Sequence, residues 1–325
     1  MESKAITPYW LFLLGVFFFG VACVGSPWHR QAGEYEVVQP APGETLESVA
    51  ESFGGGAAGL RTIESLNPRA LTPGNTPLLV PSKPVYELGI RPDGYPVVPV
   101  LSYRWGPEAG TGPSLARVQA DLLQLEASGC TLLSPSDFLA FIRMERSIPE
   151  QSVLLAFEVS RAEAFRALVS SLSTPGLTGL LFVDPAGVGE EGALTWEEVR
   201  RLSGEGIEPA LLPPTETGLS APVGEESLVG YARRVKDVIS TSHALLVQQA
   251  KMPVRFAAYP DNQGNSVMAS VMVSLGIQWI FIQGTGGNPF FCDPLSVVRM
   301  DVGRRGAEVP LSRYLDTFRR ADLSW

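Results

Sequence analysis

Between residues 97 and 301, short apolar runs alternate with amphipathic stretches of helical length, and few folds accept that pattern. Val97 to Ser102, Thr131 to Leu133, Val153 to Phe157, Gly179 to Val183, Glu208 to Leu212, Arg255 to Tyr259 and Trp279 to Ile282 read as strands. Between them, Leu115 to Ser128, Ser136 to Met144, Arg161 to Ser171, Thr195 to Ser203, Glu225 to Gln249 and Ser266 to Leu275 read as helices. Repeated β-α units predict a parallel sheet, hence an α/β fold that is either a closed barrel or an open doubly wound sheet. Functional groups are then expected at the carboxyl ends of the strands.

The amino-terminal region obeys a different constraint. Tyr9 to Val24 is almost purely apolar, follows Lys4 and precedes the polar Ser26-Pro27-Trp28-His29-Arg30. A membrane-spanning helix needs about 20 such residues, so the run is short for a span. A charged start, a short apolar core and small residues at its end predict an export signal over residues 1–22. Gly20-Val21-Ala22-Cys23 resembles a lipobox, with Cys23 lipidated, although Gly20 stands where Leu is usual. Ordinary cleavage and an uncleaved anchor remain open. The expected location is exported, periplasmic or cell-surface, with the membrane as a partner through lipidated Cys23.

A chain of 325 residues, 45% hydrophobic, suffices for one large and one small domain. A net charge of -9 argues against nucleic acid as a partner. Besides Cys23 there are only Cys130 and Cys292, which allow one disulfide or two separate thiols.

Residues 23–34 read as a tether, and an organised segment follows over residues 35–82. Tyr35-Glu36-Val37-Val38 alternates as a strand; Leu46, Val49, Ala50 and Phe53 recur at helical spacing behind Thr45, a plausible cap. A second helix, Leu60 to Leu66, ends at Asn67-Pro68, and Leu78-Leu79-Val80-Pro81 closes the segment as a strand. With Gly43-Glu44-Thr45-Leu46, Leu71 and Pro73-Gly74, this βααβ order resembles a LysM module. Glu44 replaces the usual Asp, and Gly54 to Gly59 makes a longer, looser linker between the helices. The resemblance implies binding of peptidoglycan or another GlcNAc-containing polysaccharide in a groove formed by Gly43, Glu44, Thr45, Leu46, Asn67, Pro68 and Arg69. These residues also suit simple capping and turning.

Residues 83–96 read as a Pro/Gly-punctuated linker to a domain over 97–325. There Val98 to Tyr103, Val153 to Glu158, Gly179 to Val183, Leu194 to Val199, Gly206-Ile207-Glu208, Phe256 to Pro260, Leu275-Gly276-Ile277 and Arg299 to Val302 occur in an order similar to the polysaccharide deacetylases of the NodB type. That resemblance implies a distorted (β/α)7-type barrel. It also implies hydrolysis of an N-acetyl group, with a divalent metal such as zinc held by one Asp and two His, a second Asp as general base and a late His as acid.

The chain departs from that pattern where the chemistry resides. Glu158-Val159-Ser160 stands in place of Asp-Asp-Gly, leaving Glu158 at the general-base position and no donor atom at Val159. Leu212-Pro213-Pro214-Thr215-Glu216 replaces His-x-x-x-His, Asp261-Asn262 follows Tyr259-Pro260, and the only histidines are His29 and His243. No intact catalytic set, no metal ligands and no cofactor are expected. Tyr103, Arg104, Glu158, Glu216, Tyr259 and Asp261 are the groove candidates. Glu158, Glu216 and Asp261 could converge on a hard cation, or be solvated loop carboxylates. Glu158 and Asp261 could form a glycosidase-type pair if suitably spaced.

Arg104 could face the groove or pair with a carboxylate, and pairing is favoured. Trp105 could stack on sugar, whereas Trp196 and Trp279 suit core packing, as His243 suits a packed or surface position. Gly284-Thr285-Gly286-Gly287 lacks the context of a phosphate loop. The favoured reading is an inactive, glycan-binding envelope protein; the alternative is an active hydrolase of the deacetylase class with an altered site.

Overall fold

The computed structural model describes residues 28–32, 35–52, 56–68, 76–82, 87–91, 93–106, 112–171, 177–215, 218–302 and 309–323. The chain divides into two compact units, Met1–Tyr86 and Glu87–Trp325. Cys23 and the rest of the apolar leader, Arg69, the Leu71 to Gly74 turn and Glu216 lie outside the described residues.

In the first unit, β1 (Trp28–Ala32), β2 (Tyr35–Gln39) and β3 (Leu78–Pro81) form an antiparallel sheet with β2 in the centre. Helices α1 (Leu46–Ser52) and α2 (Gly56–Leu66) complete the unit. Its core joins Val38, Val49, Ala50, Ile63, Leu78 and Val80, the apolar sides of both sheet and helices. The expected strand, helix, helix, strand order is present, with two differences. The stretch read as a tether contributes β1, and α2 starts inside the run read as a loose linker.

The second unit begins before the segment read as its start. β4 (Gly94–Val98) takes up the end of the 83–96 linker, and β5 (Val100–Trp105) follows Pro99. One continuous strand over 97–102 was expected; Pro99, which has no N–H to donate, divides it. There follow α3 (Leu115–Ala127), β6 (Thr131–Leu132), α4 (Pro135–Ile142), β7 (Ser152–Val159), α5 (Glu163–Ser171) and β8 (Gly179–Val183). After these come α6 (Trp196–Gly204), β9 (Ile207–Leu211), α7 (Leu228–Ala250), β10 (Phe256–Ala258) and α8 (Ser266–Ser274). The last strands are β11 (Trp279–Gln283), β12 (Asn288–Pro289), β13 (Val297–Asp301) and β14 (Phe318–Arg320). Helix starts agree with their sequences: Ser114, Ser134, Ser227 and Asn265 cap α3, α4, α7 and α8, and Thr195 with Glu198 forms a capping box on α6.

Strands β5, β7, β8, β9, β10, β11 and β13 pair in parallel in that order, and β13 returns to β5 to close a seven-stranded barrel. β6 adds to β7 outside the closed ring, while β12, β4 and β14 form a separate antiparallel sheet. This is a closed (β/α)7-type barrel, the closed alternative of the two parallel folds expected. Alternate residues on each strand face opposite ways. Leu154, Ala156, Leu180, Phe182, Ala210, Phe256, Ala258, Phe281 and Val297 fill the interior, joined by Phe138, Leu139, Phe141 and Ile142 of α4. Leu101, Tyr103, Trp105, Leu155, Phe157, Leu181, Leu211 and Ala257 pack outward under the helices.

Candidate functional site

Register sets the site. Arg104 lies opposite Glu158 across the β5–β7 ladder, two residues beyond Ser102 and Ala156, and Glu158 lies opposite Phe182 on β8. All these positions belong to the inward set, at the carboxyl ends of the strands. Arg299, two residues after inward-facing Val297 on β13, completes the group.

Glu158 is 4% exposed, and both its oxygens are engaged. Oε1 is ion-paired with Arg104 Nε at 2.7 Å, and Oε2 accepts from Arg299 Nη1 at 2.9 Å. Arg299 is 2% exposed, with its guanidinium carbon 4.6 Å from the centroid of the Phe182 ring, inside the range of a cation–π contact. Its Nη1 also lies 3.5 Å from Ser102 Oγ, and among the described residues its Nε has no hydrogen-bond partner. Half-exposed Arg104 donates in addition from Nη2 to Asp261 Oδ1 at 3.3 Å. The result is an alternating chain, Arg299, Glu158, Arg104, Asp261, running from the buried interior to the surface. A buried carboxylate is costly unless its oxygens are matched, and here two guanidiniums match them.

Asp261 reaches Arg104 from an unusual backbone. Asp261 and Asn262 both lie in the left-handed region, at φ 48 and φ 60. Such conformations cost on the order of 1 kcal/mol for non-glycine residues, least for Asp and Asn. The Asn262 amide offsets the cost by pairing with the Gln283 backbone: Oδ1 accepts from Gln283 N at 2.6 Å and Nδ2 donates to its carbonyl at 3.3 Å.

Above Arg104 and Glu158 opens a cleft of about 440 Å³. Val159, Val183, Val188, Leu194, Leu212 and Pro213 supply apolar walls, Ser160 and Thr215 hydroxyl groups, and Arg161, Asp184, Glu190 and Glu191 further charges. Among the described residues no three His, Cys, Asp or Glu side chains gather into a group that could hold a metal ion.

The sequence-predicted groove residues divide. Arg104, Glu158 and Asp261 converge, with Arg104 paired as favoured. Tyr103 does not face the groove: its odd position on β5 turns it outward, where its hydroxyl lies 3.3 Å from Asp121 Oδ2 of α3 and burial raises its pKa. Tyr259 is likewise buried in the outer layer, with Gly264 against its ring face; a Cβ at Gly264 would come within 2.4 Å of the ring. Burial raises the Tyr259 pKa, and Asp293 adds to the effect. Trp105 is no sugar platform either, being 3% exposed, packed on Phe157 and Phe165, with Nε1 donating to the Pro113 carbonyl at 3.0 Å. Glu158 and Asp261 are bridged by a guanidinium rather than set across an open gap, which removes the arrangement of a free acid and base pair.

Arg299 was missed as a site residue. It was read only as part of the late strand, although a charged residue in phase with Val297 on a barrel strand is a signal that alternation supplies.

In the first unit the candidate glycan residues do structural work. Gly43 turns the chain at φ 90, and Glu44 Oε2 accepts from Ala41 N at 2.6 Å. Thr45 Oγ1 accepts from Ser48 N at 3.2 Å while Ser48 Oγ accepts from Thr45 N at 3.0 Å, a reciprocal cap on α1, and Leu46 packs on the core. The Asn67 amide ties α2 to β3, donating to the carbonyls of Ile63 and Leu79 and accepting from Leu79 N at 2.8 Å. Pro68 is exposed beside it.

Elsewhere the bland readings hold. His243 is half-buried, its pKa lowered by burial against a bond to the Val254 backbone. Trp196 and Trp279 pack on the cores, and Cys130 and Cys292 are free thiols, with burial pushing Cys292 up to about 11.

No protein-family model and no curated relative matches the chain. Solved structures do. A de-N-acetylase from Aggregatibacter actinomycetemcomitans aligns with a TM-score of 0.59 at 16% identity, over 67% of this chain and 99% of that one. The deacetylase PplD from Streptococcus pyogenes aligns at 0.57 and 15%, over 68% and 99%. IcaB from Ammonifex degensii aligns at 0.55 and 20%, over 64% and 93%. At these identities the likeness is one of fold: the structural neighbours are polysaccharide deacetylases.

Proposed function

We propose that the chain is an exported cell-envelope protein that binds peptidoglycan or another GlcNAc-containing polysaccharide without hydrolysing it. In this reading the first unit is a LysM-type module, the second a deacetylase-fold domain that has lost its metal site, and lipidated Cys23 anchors both to a membrane. One observation carries the reading of the second unit: both oxygens of Glu158, the carboxylate at the general-base position, are bound by guanidiniums, from Arg104 and Arg299. A general base must reach the proton that it abstracts, and neither oxygen faces the cleft without a guanidinium on it. The donor set does not fit the family's divalent metal. Val159 and Leu212 line the cleft with hydrocarbon where donors would be needed, and the nearest cation to Glu158 is already covalently part of the chain. The cleft's apolar walls and scattered hydroxyl groups suit a sugar ring.

The test pairs metal analysis of the purified mature protein with acetate release from acetylated chitooligosaccharides and peptidoglycan. Metal-free protein with no acetate release is expected. Stoichiometric metal together with turnover would establish the active hydrolase instead. Retention on purified sacculi, with and without residues 35–82, tests the first unit; equal retention would remove the LysM-type role.

A further inference from the structure

Arg104 differs from a surface arginine that happens to lie near acids. It stands half-exposed in the cleft, with two of its nitrogens on different carboxylates, 2.7 Å from Glu158 and 3.3 Å from Asp261. Those carboxylates come from β7 and from the turn after β10. Glu158 is held by buried Arg299. The Asp261 backbone is set by its left-handed conformation and by the Asn262 bonds to Gln283, which anchor the turn that presents the carboxylate. Two carboxylate oxygens that converge on one planar cation constitute a seat for it. The guanidinium presents Nε and Nη2 in one fixed plane, a geometry that suits oxygens on two separate carboxylates better than the freely rotating donors of an ammonium do.

We propose that Arg104 is a tethered cation: its guanidinium fills a cation seat built by Glu158 and Asp261, so that the cleft floor is charge-balanced from within the chain. This rests on the reading that the domain works without a metal, and adds what balances the acids instead. The ligand class of the vacated seat follows from its shape. It takes a small planar guanidinium in preference to a divalent ion, because Arg299 on the far oxygen of Glu158 opposes a second unit of positive charge.

The full mature chain is compared as wild type, Arg104→Ala and Arg104→Ala with Asp261→Asn, each titrated with methylguanidinium chloride against equal sodium chloride. Calorimetry and melting temperature are both read. Wild type is expected to show no specific binding. Arg104→Ala is expected to melt lower, to bind methylguanidinium saturably and to recover melting temperature as it binds; adding Asp261→Asn weakens that binding about tenfold or more. Should the alanine variant not fold, Arg104→Met, which keeps the packing of the side-chain stem, carries the same comparison. A folded Arg104 variant that binds no better than wild type overturns the proposal, as does binding indifferent to Asp261→Asn. Stoichiometric metal in the wild type would sink the metal-free reading and this proposal together; metal-free wild type with a silent variant sinks the proposal alone.

Discussion

At the amino-terminal ends of its strands the barrel is filled by Leu154, Leu180, Phe256, Trp279 and Val297, and α4 lays Phe138, Phe141 and Ile142 over them. At the carboxyl ends the inward positions hold Ser102, Arg104, Glu158 and Arg299 instead. The same two-residue alternation produces both ends, so the difference is one of residue choice alone. The apolar end is stabilised by volume and shape, and a change there loses roughly what the missing atoms contributed. The charged end is stabilised by pairing, and removing one member exposes the desolvation cost of the partner left behind.

That difference is sharpest in Arg299→Met. Glu158 would keep only half-exposed Arg104, and a loss of about 3 to 5 kcal/mol is expected by chemical denaturation. Adding Glu158→Leu should recover most of it, because no buried charge then lacks its partner. If the double variant is as unstable as the single one, packing rather than charge matching holds this end together. Leu154→Ala tests the other end and should cost about 2 to 4 kcal/mol. Here a second truncation, Phe138→Ala, is expected to add further loss, the opposite sign of coupling.

The smallest effect belongs to an ion pair outside the barrel. The Arg166 guanidinium beside Glu198, aided by the Thr195 cap, holds the Glu198 pKa down at about 2 from 4.5. A depressed carboxyl pKa stabilises the fold above its unfolded value, and that stability is lost as pH falls through about 2. Glu198→Gln should therefore cost about 1 to 2 kcal/mol near neutral pH, discounted for the partial exposure of the pair, and almost nothing near pH 2. Urea denaturation at several pH values reads the difference. A gap that persists at low pH would assign Glu198 to capping alone.

Much of the fold was legible because the barrel strands and their helices carry strong periodic patterns, and the predicted elements match the structure to within a few residues. β12 and β14 were not legible. With two and three residues they hold no period, and their existence depends on pairing with β4 nearly two hundred residues away or more, as in Phe318 beside Pro96. The site was legible in part. Glu158 and its two neighbours Arg104 and Asp261 came from residue type and order. Tyr103 and Trp105 were offered to the groove as aromatic groups near the right strand end, but they are out of phase with Arg104, and phase decides which face a strand residue serves. Alternation with Val297 marks Arg299 as inward-facing, but its partner Glu158 is set by ring closure, which no local window contains.

Ring closure also orders events in time. The seam pairs Met300 with Leu101, so the β5–β13 ladder cannot form until nearly all of the intervening chain has been made and folded alongside. Contacts of such long separation form slowly, and until then β5 and β11 each present an open edge. The bond from Arg299 to Glu158 is made by that same last strand. Arg299 thus joins two strands that meet only in the closed ring, and the second partner of buried Glu158 is supplied by closure itself.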